Sequence, residues 1–182
     1  MTIPNILTLF RILLMPIILV VYYLPLDSRY AWAAGLFLLA ALTDWLDGYL
    51  ARRLNQSTSF GAFLDPVADK LTVSLALLLL VEAYGEIWMT LPAMVIVGRE
   101  IVISALREWM AELGQGASVA VSYIGKIKTV AQMTSIILLL STPPGTTIAI
   151  IGTTLLYIAA LLTLWSMFLY LYIAWPQLRH SS

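Results

Sequence analysis

Four aspartates, Asp44, Asp47, Asp65 and Asp69, lie in one short stretch reading DWLDGYLARRLNQSTSFGAFLDPVAD. They stand in a chain that is 61% hydrophobic and only 11% charged, whereas a soluble domain carries about 25% charged residues. A charge placed in a bilayer costs roughly 2.5–3.5 kcal/mol on insertion scales, so four carboxylates need compensation. On a helix, Asp44 and Asp47 fall about 60° apart, and Asp65 and Asp69 about 40° apart. Each of two helices thus presents a carboxylate pair on one face. Oxygen-only ligands suit a hard cation, Mg²⁺ or Mn²⁺ rather than zinc. Four carboxylates have the capacity for two such ions, and paired ions commonly clamp a phosphoryl group during in-line displacement.

Small residues accompany the acids. Gly48 falls about 40° from Asp44, Gly61 about 40° from Asp65, and Ala51 about 20° from Asp44. A glycine beside a carboxylate removes a side chain and lets a backbone or ligand approach. Arg52 follows, placed to reach an anionic ligand. The plainer reading is local ion pairing, Asp44 or Asp47 with Arg52 and Asp69 with Lys70. Two matching carboxylate faces with interleaved glycines favour the cation site.

Other chemistries are excluded by composition. There are no cysteines, which removes disulfides, thiolate zinc sites and cysteine nucleophiles. The only histidine, His180, lies in the tail, which removes a histidine-based site. Ten basic and ten acidic residues cancel, so charge gives no signal for a nucleic acid, and none is expected as a partner. Arg11 interrupts the first apolar run and no basic leader precedes it, so the N-terminus reads as mature protein rather than a cleavable signal.

The elements that must position the acids are six apolar runs, each near the ~20 residues needed to span a bilayer. They cover about residues 6–24, 30–50, 61–81, 87–110, 123–140 and 147–175. The expected fold is therefore an all-α, polytopic membrane protein with six transmembrane helices in one domain, 1–182. Turn-like breakers separate the runs, among them Leu24–Ser28, Glu82–Glu86 and Ser141–Gly145. Such short links predict that sequential helices pack as antiparallel neighbours, so that the second and third form a hairpin with their carboxylates facing. Nine of the basic residues fall toward one side, while Arg29 stands opposite with Asp27, Glu82 and Glu86. The positive-inside rule then puts both termini and the aspartates on the cytoplasmic side. Tyr22, Tyr23, Tyr30, Trp32, Trp88, Trp109, Tyr170, Tyr172 and Trp175 sit near helix ends, as interfacial anchors do. Pro16 and Pro92 read as bends or helix starts. The sixth run has almost no polar chemistry and reads as packing or a dimer contact.

The pattern Asp44-x2-Asp47-Gly48-x2-Ala51-Arg52-x8-Gly61-x3-Asp65-x3-Asp69 resembles the signature of the CDP-alcohol phosphatidyltransferase family, with every motif position matched. The segments IPNILTLFRILLMP, GREIVISALREWMAELG and SYIGKIKTVAQ extend the resemblance along nearly the whole chain, toward bacterial members that use glycerol 3-phosphate. The resemblance implies a homodimeric enzyme of the bacterial inner membrane whose active site faces the cytoplasm. It implies two divalent cations on Asp44, Asp47, Asp65 and Asp69, with Asp69 as the general base. It implies Gly48, Arg52 and Gly61 as positions that hold the CDP moiety of CDP-diacylglycerol. The implied reaction transfers the phosphatidyl group to the 1-hydroxyl of sn-glycerol 3-phosphate and releases CMP.

Such an acceptor needs an anion site. Arg99, Arg107, Lys126 and Lys128 are the available cations. Arg107 shares a face with Glu100 and Ser104 and could instead be an internal ion pair. Lys126 and Lys128 lie about 200° apart and do not both face one small ligand from a regular helix. Asn5, Thr8 and Arg11 form another polar set, each step about 60° on a helix, read either as a headgroup-facing edge or as part of the substrate pocket. Competing readings are the same chemistry with serine, inositol phosphate or phosphatidylglycerol as acceptor, a prenyltransferase, and a cation-coupled transporter. Prenyltransferases divide their aspartate motifs between two halves, and transporters tend to show internal repeats; neither feature is found here.

Overall fold

The computed structural model describes residues 3–54, 58–112 and 123–180. These form six helices: α1 (Ile3–Tyr23), α2 (Arg29–Leu54), α3 (Ser59–Tyr84), α4 (Ile87–Glu112), α5 (Tyr123–Leu140) and α6 (Thr147–His180). No strand occurs among the described residues. Apolar runs fold this way because a helix satisfies its own backbone hydrogen bonds where water is absent. Three helices are long and apolar enough to cross a membrane, over Pro4–Tyr23, Ile87–Met110 and Thr147–Tyr172.

Local chemistry sets the helix ends. Thr58 caps α3, its Oγ accepting from Gly61 N at 3.0 Å. Gly85 ends α3 in the left-handed region (φ 60°), its N–H reaching Val81 O. That conformation favours glycine. Pro16, Pro66 and Pro92 all lie inside helices. Pro92 is therefore not a helix start, and Pro66 removes one α3 backbone donor directly beside Asp65.

The main core is an apolar cluster that includes Leu14, Ile18, Phe37, Leu77, Leu80, Ile96, Ile136, Leu139 and Leu156, and a smaller cluster joins Ile103, Met110 and Tyr170. Helix α1 packs against both α2 and α3, α5 against α6, and α4 against α3 and α6. Helices α2 and α3 share little direct contact. The expected α2–α3 hairpin is thus replaced by a three-helix arrangement with α1 between the two carboxylate-bearing helices. A short link fixes that two helices are joined, not that nothing intercalates between them.

Outward faces are apolar, with Leu13, Leu78, Met94, Val130, Leu161 and Phe168 exposed. Contiguous apolar exposure of this kind suits lipid rather than water. Of the aromatic residues near helix ends, Trp32, Trp88 and Tyr172 are exposed as anchors require, whereas Tyr22 and Tyr170 are buried. Tyr22 packs edge-on against Tyr23 and Tyr30, so its ring serves the bundle instead.

Candidate active site

The aspartates gather around α1. Arg11 is 1% exposed and forms ion pairs through its two terminal nitrogens, one to Asp44 and one to Asp47. One turn earlier, the Thr8 hydroxyl lies 2.8 Å from Asp65 Oδ1 and 3.3 Å from Asp47 Oδ2. It also lies 3.0 Å from Pro4 O, so its one proton is shared among three acceptors. Helical spacing puts Thr8 and Arg11 on neighbouring positions of one face, and that face joins α2 to α3. Asp47 is buried, Asp44 and Asp65 are partly exposed, and Asp69 is exposed.

Asn5 completes the corner. Its Nδ2 donates to Thr58 Oγ at 3.1 Å. A Cβ on Gly61 would come within 2.6 Å of Asn5 Oδ1 and 3.2 Å of Thr58 Oγ. Gly61 therefore admits the Asn5 side chain against the start of α3. Gly48 is half-buried on α2. The Arg52 and Lys126 side chains lie outside the described residues.

Asp69, one turn beyond Asp65 on α3, faces a second polar group. A small cavity of ≈ 50 Å³ is lined by Asp69, Lys70, Glu100, Lys128 and Gln132, among others. Lys128 is buried, and its Nζ donates to Glu100 Oε1 at 2.7 Å. Arg99 donates to the same oxygen at 3.1 Å and to Ser166 Oγ of α6 at 3.2 Å. Helix α6 thus contributes polar chemistry that its apolar run did not suggest. Arg107 does not pair with Glu100; its guanidinium sits over the Tyr170 ring, 5.5 Å from the centroid. Lys70 donates to Ser104 rather than pairing with Asp69. Of the local pairings weighed from sequence, Asp69 with Lys70 does not form, those with Arg52 lie outside the described residues, and a distant arginine, Arg11, pairs with Asp44 and Asp47.

Four candidates for binding the acceptor therefore stand elsewhere than a free anion pocket. Arg11 and Thr8 are engaged with the aspartates, and Asn5 with the α3 cap. Arg99 is held by Glu100 and Ser166. Lys128 alone of the described candidate cations lines the cavity beside Asp69, and it too is paired with Glu100. Sequence reasoning passed over Gln132 and weighed Glu100 only as a partner for Arg107. Gln132 follows Lys128 by one helical turn, and a lone amide in an apolar helix was the available signal.

The aspartates are all-oxygen donors, which fits a hard cation in type. As they stand, no three His, Cys, Asp or Glu side chains among the described residues are gathered into a group that could hold a metal ion. A guanidinium and a hydroxyl hold Asp44, Asp47 and Asp65 instead.

A family model described as CDP-alcohol phosphatidyltransferase matches residues 1–171. A relative from Pseudomonas fluorescens is 56% identical over 182 residues, covering 98% of this chain and 93% of its own length. A relative from Salmonella choleraesuis (strain SC-B67) is 57% identical over 173 residues, covering 93% of this chain and 92% of its own. One from Shigella flexneri serotype 5b (strain 8401) is 56% identical over 169 residues. All three are named CDP-diacylglycerol–glycerol-3-phosphate 3-phosphatidyltransferase. The matched span runs from α1 into α6 and takes in both polar groups, and on that extent of likeness the chain belongs to the CDP-alcohol phosphatidyltransferase family.

Proposed function

We infer that this protein transfers the phosphatidyl group of CDP-diacylglycerol to the 1-hydroxyl of sn-glycerol 3-phosphate. The observation that carries the reading is identity above half, over nearly full length, to relatives named for that activity. The reading of the site rests on Asp44, Asp47 and Asp65 converging on α1, beside a polar cavity that Asp69 and Lys128 line.

In the proposed reaction Asp69 takes the proton of the acceptor 1-hydroxyl. The oxygen so released attacks the phosphorus that bears diacylglycerol, and the bond to CMP breaks. A positioned carboxylate of this kind is typically worth ~10²–10⁴ in rate. Lys128, beside Asp69, is the described cation placed for the acceptor phosphate, with Arg107 and Lys126 as further proposed ligands. Gly48, Arg52 and Gly61 are proposed to bound the CDP site, with Gly61 supported by the close approach that its missing side chain allows. Asp44, Asp47, Asp65 and Asp69 would hold two divalent cations, Mg²⁺ or Mn²⁺. Bound there, the ions would supply charge neutralisation on the phosphoryl oxygens.

All six helices are proposed to span the bacterial inner membrane, with both termini and the aspartates toward the cytoplasm. The lengths of α2 and α3 and the one-sided basic residues support this. A homodimer through an exposed apolar face is proposed on the family resemblance.

The test is CMP release by purified protein from CDP-diacylglycerol, with glycerol 3-phosphate, serine, inositol phosphate or phosphatidylglycerol offered separately. Release is expected with glycerol 3-phosphate alone, lost on chelation and lost in a folded Asp69→Asn variant. Release with a different acceptor only would move the protein to a sister activity. Release untouched by chelator would overturn the cation proposal.

A further inference from the structure

The amide oxygen of Gln132 has no hydrogen-bond partner, although its residue is only 5% exposed. It lines the cavity that Asp69 shares with Lys70, Glu100 and Lys128. Of the other polar side chains there, Lys128 donates to Glu100, Glu100 also receives Arg99, and Lys70 donates to Ser104, which leaves Asp69 and Gln132 open toward the cavity. A buried carbonyl oxygen without a donor is destabilising, and such groups are normally satisfied. The cavity, at ≈ 50 Å³, has room for a hydroxyl-bearing carbon or a few waters, but not for a whole phosphorylated alcohol. The orphan atom needs a donor. Carboxylates and phosphates at neutral pH offer none, whereas an alcohol hydroxyl does.

We propose that Gln132 is a specificity-determining residue whose amide oxygen accepts the 2-hydroxyl of glycerol 3-phosphate. The inference rests on the activity proposed above and names what that site reads in its acceptor. Lys128 and Gln132 stand one turn apart on α5, about 6 Å along its axis, and lie on the same face. The hydroxyl-bearing carbons enter the cavity, with the 2-hydroxyl on Gln132 and the neighbouring 1-hydroxyl at Asp69, and the phosphate stays outside it on the Lys128 side. A site built to hydrogen-bond a hydroxyl rejects the analogue that lacks it, because its own polar group is then left unpaired.

The experiment compares kcat/KM for CMP release with glycerol 3-phosphate and with 3-hydroxypropyl phosphate, which lacks only the 2-hydroxyl. Wild-type protein is expected to prefer glycerol 3-phosphate by about 10- to 100-fold. Gln132→Met keeps the volume and removes the acceptor oxygen. It should lower the glycerol 3-phosphate value by about the same factor, leave the analogue nearly unchanged, and bring the ratio close to one. Gln132→Asn withdraws the amide by one carbon and should lose the same preference if Gln132→Met does not fold. Equal use of both acceptors by wild-type protein overturns the proposal. So does an unchanged ratio in the variants, or an equal loss for both acceptors, which marks a structural amide or a bound water. Wild-type release with neither acceptor, but with serine or phosphatidylglycerol, overturns the activity reading and this inference with it.

Discussion

Arg11 is the residue on which the aspartate group turns. It is almost fully buried and pairs with both Asp44 and Asp47, while its Nε finds no partner. The two carboxylates differ in setting, since the Asp47 side chain is 4% exposed and that of Asp44 43%. Removing one member of a buried ion pair typically costs roughly 3–5 kcal/mol, because the remaining charge is left uncompensated. Arg11→Gln should therefore lower the melting temperature of the detergent-solubilised protein by several degrees. Added Mg²⁺ should restore part of the loss in the variant, because a cation at Asp44 and Asp47 would replace the missing charge. Thermal unfolding with and without Mg²⁺ checks both parts. A variant as stable as wild type without Mg²⁺ would show that solvent, not Arg11, compensates these acids.

At the scale of helices, close approach depends on missing side chains. Ser135 of α5 donates to Gly152 O of α6 at 2.7 Å. A Cβ at Gly152 would meet Leu139 side-chain atoms at 2.9–3.0 Å, and both leucine and serine are fully buried. Gly152→Leu should force α5 and α6 apart. Overpacking of this kind costs about 1–3 kcal/mol. Because Lys128 and Gln132 ride on α5, the same variant should raise KM for glycerol 3-phosphate more than for CDP-diacylglycerol. Melting curves and KM for the two substrates measure this, and equal rises in both would place the damage elsewhere.

Helices of this kind were largely legible in the sequence, and their partners were not. The run from 123 to 140 coincides with α5, and the others differ at their ends by a few residues. The aspartate pairs were visible because positions three and four apart share a helix face. The role of α1 was not, because Arg11 reaches Asp44 and Asp47 across 33 and 36 residues. Periodicity reports which face is polar; it does not report which other helix supplies the counter-charge. Lys128 and Glu100 posed the same problem, as did Arg99 with Ser166 on α6.

For the whole molecule, polar groups are concentrated toward one end of the bundle. The aspartates, Arg11 and the Glu100 group occupy the halves of their helices near the N-terminus of α1, the link between α2 and α3, and the C-terminal part of α4. The other end, around Leu24–Ser28 and Gly85–Glu86, carries Arg29 as its single basic residue. Basic residues near the ends of spans fix orientation, so this asymmetry predicts the aspartate end in the cytoplasm. The chain has no cysteine, which makes every introduced thiol a unique reporter. In intact spheroplasts, Ser28→Cys should react with a membrane-impermeant maleimide, and Thr58→Cys should react only after the membrane is opened. Ser28 precedes α2 and Thr58 caps α3, so the two positions bracket one proposed crossing. The opposite pattern would invert the protein and put the proposed CDP site on the outer face of the membrane. Labelling of both thiols from outside would remove α2 from the set of spanning helices. Either result would leave the aspartate geometry intact but break the link between that geometry and a cytoplasmic acceptor.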